Sequence, residues 1–434
     1  MRSWILLLCV VAAFGAAPVA QSPFTFRSVE GAAATAVGVL FPRGFYDDPP
    51  GRSGQAAVTA AVRLDLGLAA AGAALASGSR VGTDYAIVFA VFGPDERASA
   101  ARFLGAVTGR VSEVGDDALR LAAARVALAA DDAEHLYPGD VLMTGARARL
   151  GAETPLSRPP SGVASECVAM TPASLRRILS EPPVARAAVL GAVDDAWVEA
   201  ISGVSWPRAA SEVRGDVVCP QGFLAHEMTT RASQRSDSPY VGVAFAASGR
   251  EDRASFALAV EVARSRAFAR LKLRGPELFA RAPLVRWSWL QADPLLLFCR
   301  RGEDPVQVFP GRRAEASIDQ EVTATRRDLE HLLEDLRTRA PSDAELRAAR
   351  EALAAQFAAP QSEQGQQWVR EPATYPGKLQ LMLLRRHHGV ETDRLVDVTA
   401  EDVAATLATF LAPGRASWHA VVPRPREALG YRQR

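Results

Sequence analysis

The chain has 434 residues, of which 48% are hydrophobic and 23% charged, a composition typical of a globular protein larger than one ordinary domain. Its 50 Lys and Arg residues nearly balance 49 Asp and Glu residues, leaving a net charge of +1. This balance argues against a nucleic-acid partner, because such proteins carry a basic surface.

The N-terminus has the layout of a secretory signal peptide. Arg2 precedes an apolar run over residues 4–14, and small residues follow, with Ala17 and Ala20 as the cleavage positions. The run is too short for a membrane span of about 20 residues. We therefore predict that residues 1–20 are a signal peptide and that the mature chain is exported to the periplasm or beyond, with no membrane span left.

The first half of the mature chain alternates strands and helices. Hydrophobic periodicity, turn residues and Thr171 as a helix cap define the order. The predicted elements are a strand at 35–41, a turn at 42–54, a helix at 55–77, a strand at 85–92, helices at 95–107 and 116–136, a short helix after Thr171, a strand at 185–191 and a helix at 194–201.

The second half repeats this plan. It begins with a strand of similar sequence, YVGVAF against VGVLF in the first half, and Thr399 caps a late helix with Asp402 in the capping-box position. The predicted elements are strands at 240–245, 284–290, 295–300 and 416–422, and helices at 252–271, 318–339, 343–357 and 399–411.

The shared order indicates duplication of one α/β domain. We predict an N-terminal domain at 21–203, a linker at 204–238, a C-terminal domain at 239–424 and a tail at 425–434. An antiparallel sheet with segregated helices places the chain in the α+β class. No dinucleotide-binding or phosphate-binding loop motif is present in the sequence.

The cysteines of the mature chain match no zinc or redox spacing. They are Cys167, Cys219 and Cys299. In an oxidising compartment Cys167 and Cys219 are the preferred pair, and separate buried thiols are the alternative.

Several segments together resemble the pitrilysin/insulinase family of zinc metallopeptidases. The resemblance covers nearly the whole mature chain and lies in the order of its pieces. It implies two tandem α/β-sandwich domains that form half of a clamshell. The segments are the strand and glycine at 37–44, the acidic loop at 45–50, Gly54 at the helix start, the capped helix at 171–178, the strand and turn at 189–194, and the helical segment at 341–356.

The decisive motif of that family is missing. Counting from Gly54, the positions of H-x-x-E-H fall on Ala57, Ala60 and Ala61, and no histidine precedes His135. Two imidazoles one turn apart hold the zinc, and the glutamate takes a proton from the bound water, so three alanines do neither. The helix expected to supply a third ligand, at 116–136, has no carboxylate in its middle. We predict no metal and no catalytic residue in this chain.

Two other segments contain part of a metal-site pattern at a displaced position. His226-Glu227 begins like H-E-x-x-H, but Thr230 occupies the second histidine position. His331, Glu334 and Asp335 share one helical face and define an alternative in which the chain is an active metallopeptidase. A solvated, charged helix face is the competing interpretation.

The resemblance implies a role without catalysis. Zinc-free members of the family serve as partners of a zinc-bearing subunit, so zinc is expected only in a partner chain. Such partners supply an Arg and a Tyr that hold the substrate. Arg274 resembles that arginine, and no tyrosine follows it. We predict an inactive, peptide-binding subunit of a heterodimer, whose ligand is a peptide or unfolded polypeptide. A scaffold subunit of an envelope complex is the remaining alternative.

Overall fold

The computed structural model describes most of the chain in twelve segments. The predicted signal peptide, the predicted strand at 284–290 and Arg274 lie outside the described residues. The described segments are 23–111, 114–135, 138–150, 155–181, 183–206, 228–233, 239–245, 252–272, 295–300, 315–355, 371–388 and 395–423. None of the helices in these segments combines the length and the apolar character needed to cross a bilayer.

The first half contains a five-stranded sheet in the order β1-β5-β2-β4-β3. Its central strand, β2, is buried at all seven positions, because helices cover both faces of the sheet. The β1-β5 pair is parallel and the other pairs are antiparallel. The strands are β1 (Phe24–Ser28), β2 (Thr35–Phe41), β3 (Ala76–Val81), β4 (Ala86–Phe92) and β5 (Arg186–Gly191).

Helices of the first half lie mainly on one face of this sheet. The helix α1, which follows β2, packs against α2 and α3, and Thr171 caps α6 by accepting a hydrogen bond from the Ser174 backbone N–H. The helices are α1 (Gln55–Ala71), α2 (Arg97–Thr108), α3 (Asp116–His135), α4 (Pro138–Leu150), α5 (Ala164–Ala169), α6 (Pro172–Ser180) and α7 (Asp195–Ser202).

The second half contains a four-stranded sheet in the order β6-β9-β7-β8. Thr399 and Asp402 form the predicted capping box at the start of α12. The strands are β6 (Thr229–Ser233), β7 (Tyr240–Phe245), β8 (Leu295–Arg300) and β9 (Ala416–Pro423), and the helices are α8 (Arg253–Lys272), α9 (Glu315–Thr338), α10 (Asp343–Ala355), α11 (Tyr375–His388) and α12 (Ala400–Phe410).

The two sheets share one topology. In each, a parallel outer pair (β1-β5 and β6-β9) is followed by the Val-Gly-Val strand (β2 and β7) and then by a further antiparallel strand (β4 and β8). This correspondence bears out the tandem α/β architecture predicted from the sequence.

The halves exchange one helix each. From the first half, α4 packs against β6, β7 and β9 of the second sheet. In return, α11 covers the first sheet through Tyr375, Leu379 and Leu383, all nearly inaccessible to solvent. Each half therefore completes the core of the other.

Three strands differ from the sequence-based expectations. The helix predicted at 55–77 ends at Ala71, where Gly72 has a positive φ of 87°, and the remaining residues enter β3. β1 was not predicted either. The linker predicted at 204–238 contains β6, which pairs with β9. Within the described sheets all three are edge strands, so only one side of each forms ladder hydrogen bonds there, and the alternation of apolar and polar residues along them is weak.

Candidate functional site

The three alanines at the positions of the zinc motif lie on α1 in apolar surroundings. Ala57 and Ala60 are buried. Ala60 packs with the sheet cluster that contains Val37 and Val39. Ala61 packs against the cluster between α1 and α3. Alanine offers no donor atom, so these positions do not fit a metal.

The described side chains of the neighbouring helix α3 supply no third ligand toward α1. The buried face of α3 is made of alanine and leucine, and these residues continue the same cluster. Among the residues that the structure describes, no group of three His, Cys, Asp or Glu side chains is arranged to hold a metal ion. The buried residues of this face are Leu119, Ala122, Ala123 and Ala127.

The displaced site proposed around His331 is occupied by ion pairs. Glu334 pairs with Arg337, and Asp335 lies 3.6 Å from a guanidinium nitrogen of Arg339. Both carboxylates therefore already have cationic partners on their own helix, which favours the charged-face interpretation. His226 and Glu227 lie outside the described residues.

Two other histidines make structural contacts. His419 is 3% exposed, and its ring nitrogens lie 2.8 Å from Ser417 Oγ and 2.7 Å from Thr229 Oγ1. His387 Nε2 lies 3.1 Å from Asp84 Oδ2, across the contact between α11 and the first sheet.

A cleft of about 490 Å³ lies beside Ala60, at the end of the first sheet. It opens where β2 ends and β4 begins, between the first turns of α1 and the end of α6. The size is that of a ligand site, for which about 300–1,000 Å³ is usual. Its polar lining consists of Arg43, Asp47, Asp48, Gln55, Thr59, Arg63 and Glu181.

Asp48 caps α1 from within the cleft wall. The N-cap residue is Gly54, which has no side chain to cap with. Asp48 reaches back instead, and its two oxygens accept hydrogen bonds from the Gly54 N–H at 2.7 Å and the Ala56 N–H at 2.9 Å. The side chain is nearly fully buried, and this burial raises the pKa of Asp48 to about 6, despite the backbone hydrogen bonds that oppose it.

The glycine at position 54 is required by both conformation and space. Its φ is 100°, and a Cβ there would lie 2.3 Å from Cys167 Sγ. Cys167 is a free, buried thiol whose sulfur lies 3.4 Å from the Ser53 carbonyl oxygen. The structure thus has Cys167 as a separate buried thiol, and Cys219, its preferred partner in the sequence analysis, lies outside the described residues. The thiol instead fills the space against Gly54.

Arg63 is the feature of the cleft that the sequence analysis missed. It lies on α1 and is 6% exposed. Its Nη1 donates to the backbone oxygens of Val107 at 2.6 Å and Gly109 at 3.1 Å, and its Cζ lies 5.2 Å from the centre of the Phe41 ring. Burial lowers the pKa of Arg63 to about 10. The available signal was one arginine in a helical stretch whose only other charged residue is Asp65.

Asp48 makes stability depend on pH in a defined direction. Its pKa rises from 3.8 to about 6 on folding, which corresponds to about 3 kcal/mol. The contribution of Asp48 to the free energy of unfolding is therefore fully present below pH 3.8 and is lost as the pH rises through about 6. We therefore expect the free energy of unfolding of the wild type, minus that of Asp48→Asn, to fall by about this amount between about pH 4 and pH 7 in urea titrations.

The matched control for this prediction is Asp402→Asn. Hydrogen bonds from Thr399 lower the pKa of Asp402, so its contribution is present above pH 3.8 and is lost as the pH falls. The two variants should give pH dependences of opposite sign. A difference for Asp48→Asn that is constant or grows with pH would contradict the assignment.

Comparisons with known proteins place the fold. No protein-family profile and no curated protein sequence matches the chain. Solved structures do match over nearly its whole length. A protease from Helicobacter pylori is 12% identical, with 92% of this chain and 97% of that chain covered and a TM-score of 0.64. The M16 peptidase inactive domain from Pseudomonas fluorescens is 15% identical, with 93% and 95% covered and a TM-score of 0.63.

The periplasmic protease PqqL from Escherichia coli gives a third match. It is 13% identical, with a TM-score of 0.58, and the match covers 94% of this chain but 47% of that chain. This chain thus spans about half of the PqqL length. At these identities the likenesses establish the fold, which is that of an M16-like, or insulinase-like, half clamshell.

Proposed function

We propose that this chain is an exported insulinase-family homologue that performs no catalysis and binds polypeptide as the partner of a zinc-bearing subunit. The observation that carries the proposal is the combination of an M16-like fold with apolar residues at every position of the zinc motif. Ala57, Ala60 and Ala61 pack in hydrophobic clusters or lie buried on α1, without a ligating atom.

The loss of peptidase chemistry follows from the residues present. A zinc peptidase needs ligands that hold the metal and a carboxylate that takes a proton from its bound water. The α1 positions provide neither function. The Asp48 carboxylate, which lies close by, is committed to the α1 N-terminus through two hydrogen bonds. Replacing one alanine alone would not restore the chemistry.

The binding of an extended peptide is supported by two adjacent features. The cleft ends at Ala86, which pairs with Val81, the last residue of β3. In the described part of the sheet, β3 pairs only with β4 and so presents one open backbone edge. An extended segment can add to such an edge through main-chain hydrogen bonds while a side chain or terminus enters the cleft.

The partner and the location are supported by the comparisons. PqqL is described as a periplasmic protease and is about twice as long as this chain. The Pseudomonas fluorescens structure is described as an inactive domain. A two-unit arrangement, in which this chain supplies the inactive unit, would account for both. The signal-peptide pattern at 1–20 agrees with an exported chain.

The first test combines metal content with activity. We expect elemental mass spectrometry of the purified mature chain to find no stoichiometric zinc, and the same sample to leave unstructured peptides uncleaved. Adding a zinc-bearing M16 chain from the same genome should form a complex and change that chain's cleavage of the peptides. One zinc per chain with chelator-sensitive cleavage would refute the proposal, as would the absence of any effect on every such chain.

A further inference from the structure

Arg63 is a buried cation without a counter-charge. The guanidinium makes no ion pair with any acidic side chain in the described segments, and its two hydrogen-bond acceptors are neutral carbonyl groups. Buried charges in proteins are normally paired, because removing them from water is costly. Burial is also the one cause of the lowered pKa of Arg63. The two carbonyls and the Phe41 ring therefore offset only part of the desolvation penalty of Arg63, and no opposite charge in the described segments offsets the rest.

The unpaired part of Arg63 has a defined shape. A guanidinium carries five N–H donors. Both hydrogens of Nη1 serve the Val107 and Gly109 carbonyls, which leaves the Nε–Nη2 edge without a partner among the described residues. Arg63 lines the cleft, and neither Nε nor Nη2 belongs to the fully buried side-chain atoms that lack a partner, so both keep some solvent access. This edge presents two parallel N–H donors, and that geometry allows it to donate one hydrogen bond to each oxygen of a carboxylate.

The other charged groups of the cleft already have partners. Asp48 accepts from α1, and Asp47 Oδ2 accepts from the Gly44 N–H at 3.1 Å. Glu181 lies 4.0 Å from Arg43 at the exposed rim. These acidic side chains disfavour the binding of an anionic ligand in the cleft in general. None of them, however, binds the Nε–Nη2 edge of Arg63. The contact with the Phe41 ring also holds the guanidinium group of Arg63 in place, so the side chain loses little conformational freedom when a ligand binds.

We propose that the cleft is a carboxylate-binding site in which the Nε–Nη2 edge of Arg63 holds the ligand side-on. Resting on the proposed function, the ligand is a polypeptide that places a carboxylate in the cleft. The carboxylate comes either from the C-terminus of the peptide or from an Asp or Glu side chain. A free carboxylate such as acetate contains the same recognised group and serves as a minimal probe.

The experiment compares matched ligands on the full mature chain by isothermal titration calorimetry. The ligands are a peptide with a free C-terminus, the same peptide as the C-terminal amide, and an amide with one internal Asp. We expect the acid forms to bind roughly 10- to 100-fold more tightly than the neutral amide, as charge-assisted hydrogen bonds imply. Preference for the free acid identifies the C-terminus, and preference for the Asp-containing amide identifies the side chain.

Variants connect this preference to Arg63. Arg63→Met keeps the apolar stem and should abolish the preference, and Arg63→Lys should retain at most part of it, because the ammonium group has no fork. Arg52→Met, at an exposed arginine before α1, should leave the preference unchanged. If Arg63→Met does not fold, Arg63→Lys decides the question, because it keeps the charge without the fork and should reduce the preference for the acid.

The outcomes separate this inference from the proposed function. Equal affinities for the acid and amide peptides, or a preference that survives in Arg63→Met, would overturn the carboxylate site and leave peptide binding intact. If acetate binds in a way that depends on Arg63 but no peptide binds, the result would support the carboxylate site and contradict the proposed peptide-binding function. Failure of both acetate and every peptide to bind would overturn both.

Discussion

The double substitution Leu379→Ala and Leu383→Ala is expected to destabilise the N-terminal half, although both residues lie in the C-terminal half. Both side chains are at most 2% exposed and pack on the first sheet from α11. Leu379 also lies against β2 so closely that a Cβ on Gly38 would come within 2.7 Å of it. Each truncation should cost about 2–5 kcal/mol, and the pair a large share of a typical total of about 5–15 kcal/mol.

Hydrogen exchange combined with urea unfolding checks this result. Amides of β2 and β4 should lose protection together with those of α11, because the helix completes their core. Gln380→Ala serves as the control, since it removes one exposed hydrogen bond with Arg80 from the same helix. Faster exchange confined to α11, with β2 and β4 still protected, would show that the halves fold independently.

Arg266→Met is expected to lower the free energy of unfolding by about 2–4 kcal/mol. The Arg266 side chain is 4% exposed and joins α8 to the start of α10. It makes a bidentate pair with Glu345, at 2.8 and 3.1 Å, and donates to the backbone oxygens of Arg339 and Ala340. Its removal leaves the two carbonyls without these donors and the carboxylate with only a longer contact to Arg339, at 3.5 Å.

The pH dependence of this effect distinguishes the ion pair from lost packing. Hydrogen bonds from Arg266 lower the pKa of Glu345 to about 2, so the contribution is present above pH 4.5 and disappears as the pH falls through about 2. The difference in the free energy of unfolding between the wild type and Arg266→Met should therefore become smaller as the pH falls. Arg120→Met, which breaks only exposed pairs, should cost about 0.5 kcal/mol or less. A gap of constant size would indicate packing alone.

Elements with a strong local pattern could be predicted from the sequence almost residue by residue. The strand at 35–41, the Thr171 cap and the Thr399 capping box depend on adjacent residues, and the structure reproduces them. β3 could not be predicted, because its sequence ASGSRV is small and polar. Its strand conformation comes from pairing with β4, not from intrinsic preference.

The candidate site likewise has one feature that the sequence predicts and one that it does not. The absence of zinc ligands at positions 57, 60 and 61 is visible in the sequence, because the motif is local and the side chains have no donors. The importance of Arg63 is not visible there. It depends on carbonyl oxygens more than forty positions away, at the C-terminal end of α2 and just after it, and on the cleft wall formed by α6.

The sequence by itself determined the repeated α/β plan and the loss of the metal motif. Both are encoded by periodicity and residue identity over short stretches. Only the tertiary structure decided that α4 and α11 are exchanged between the halves, that Cys167 is free, and that the Arg63 guanidinium lines a cleft without an ion pair among the described residues. These features depend on which distant residues come into contact and on how far water is excluded from a charge, and neither can be obtained from local sequence.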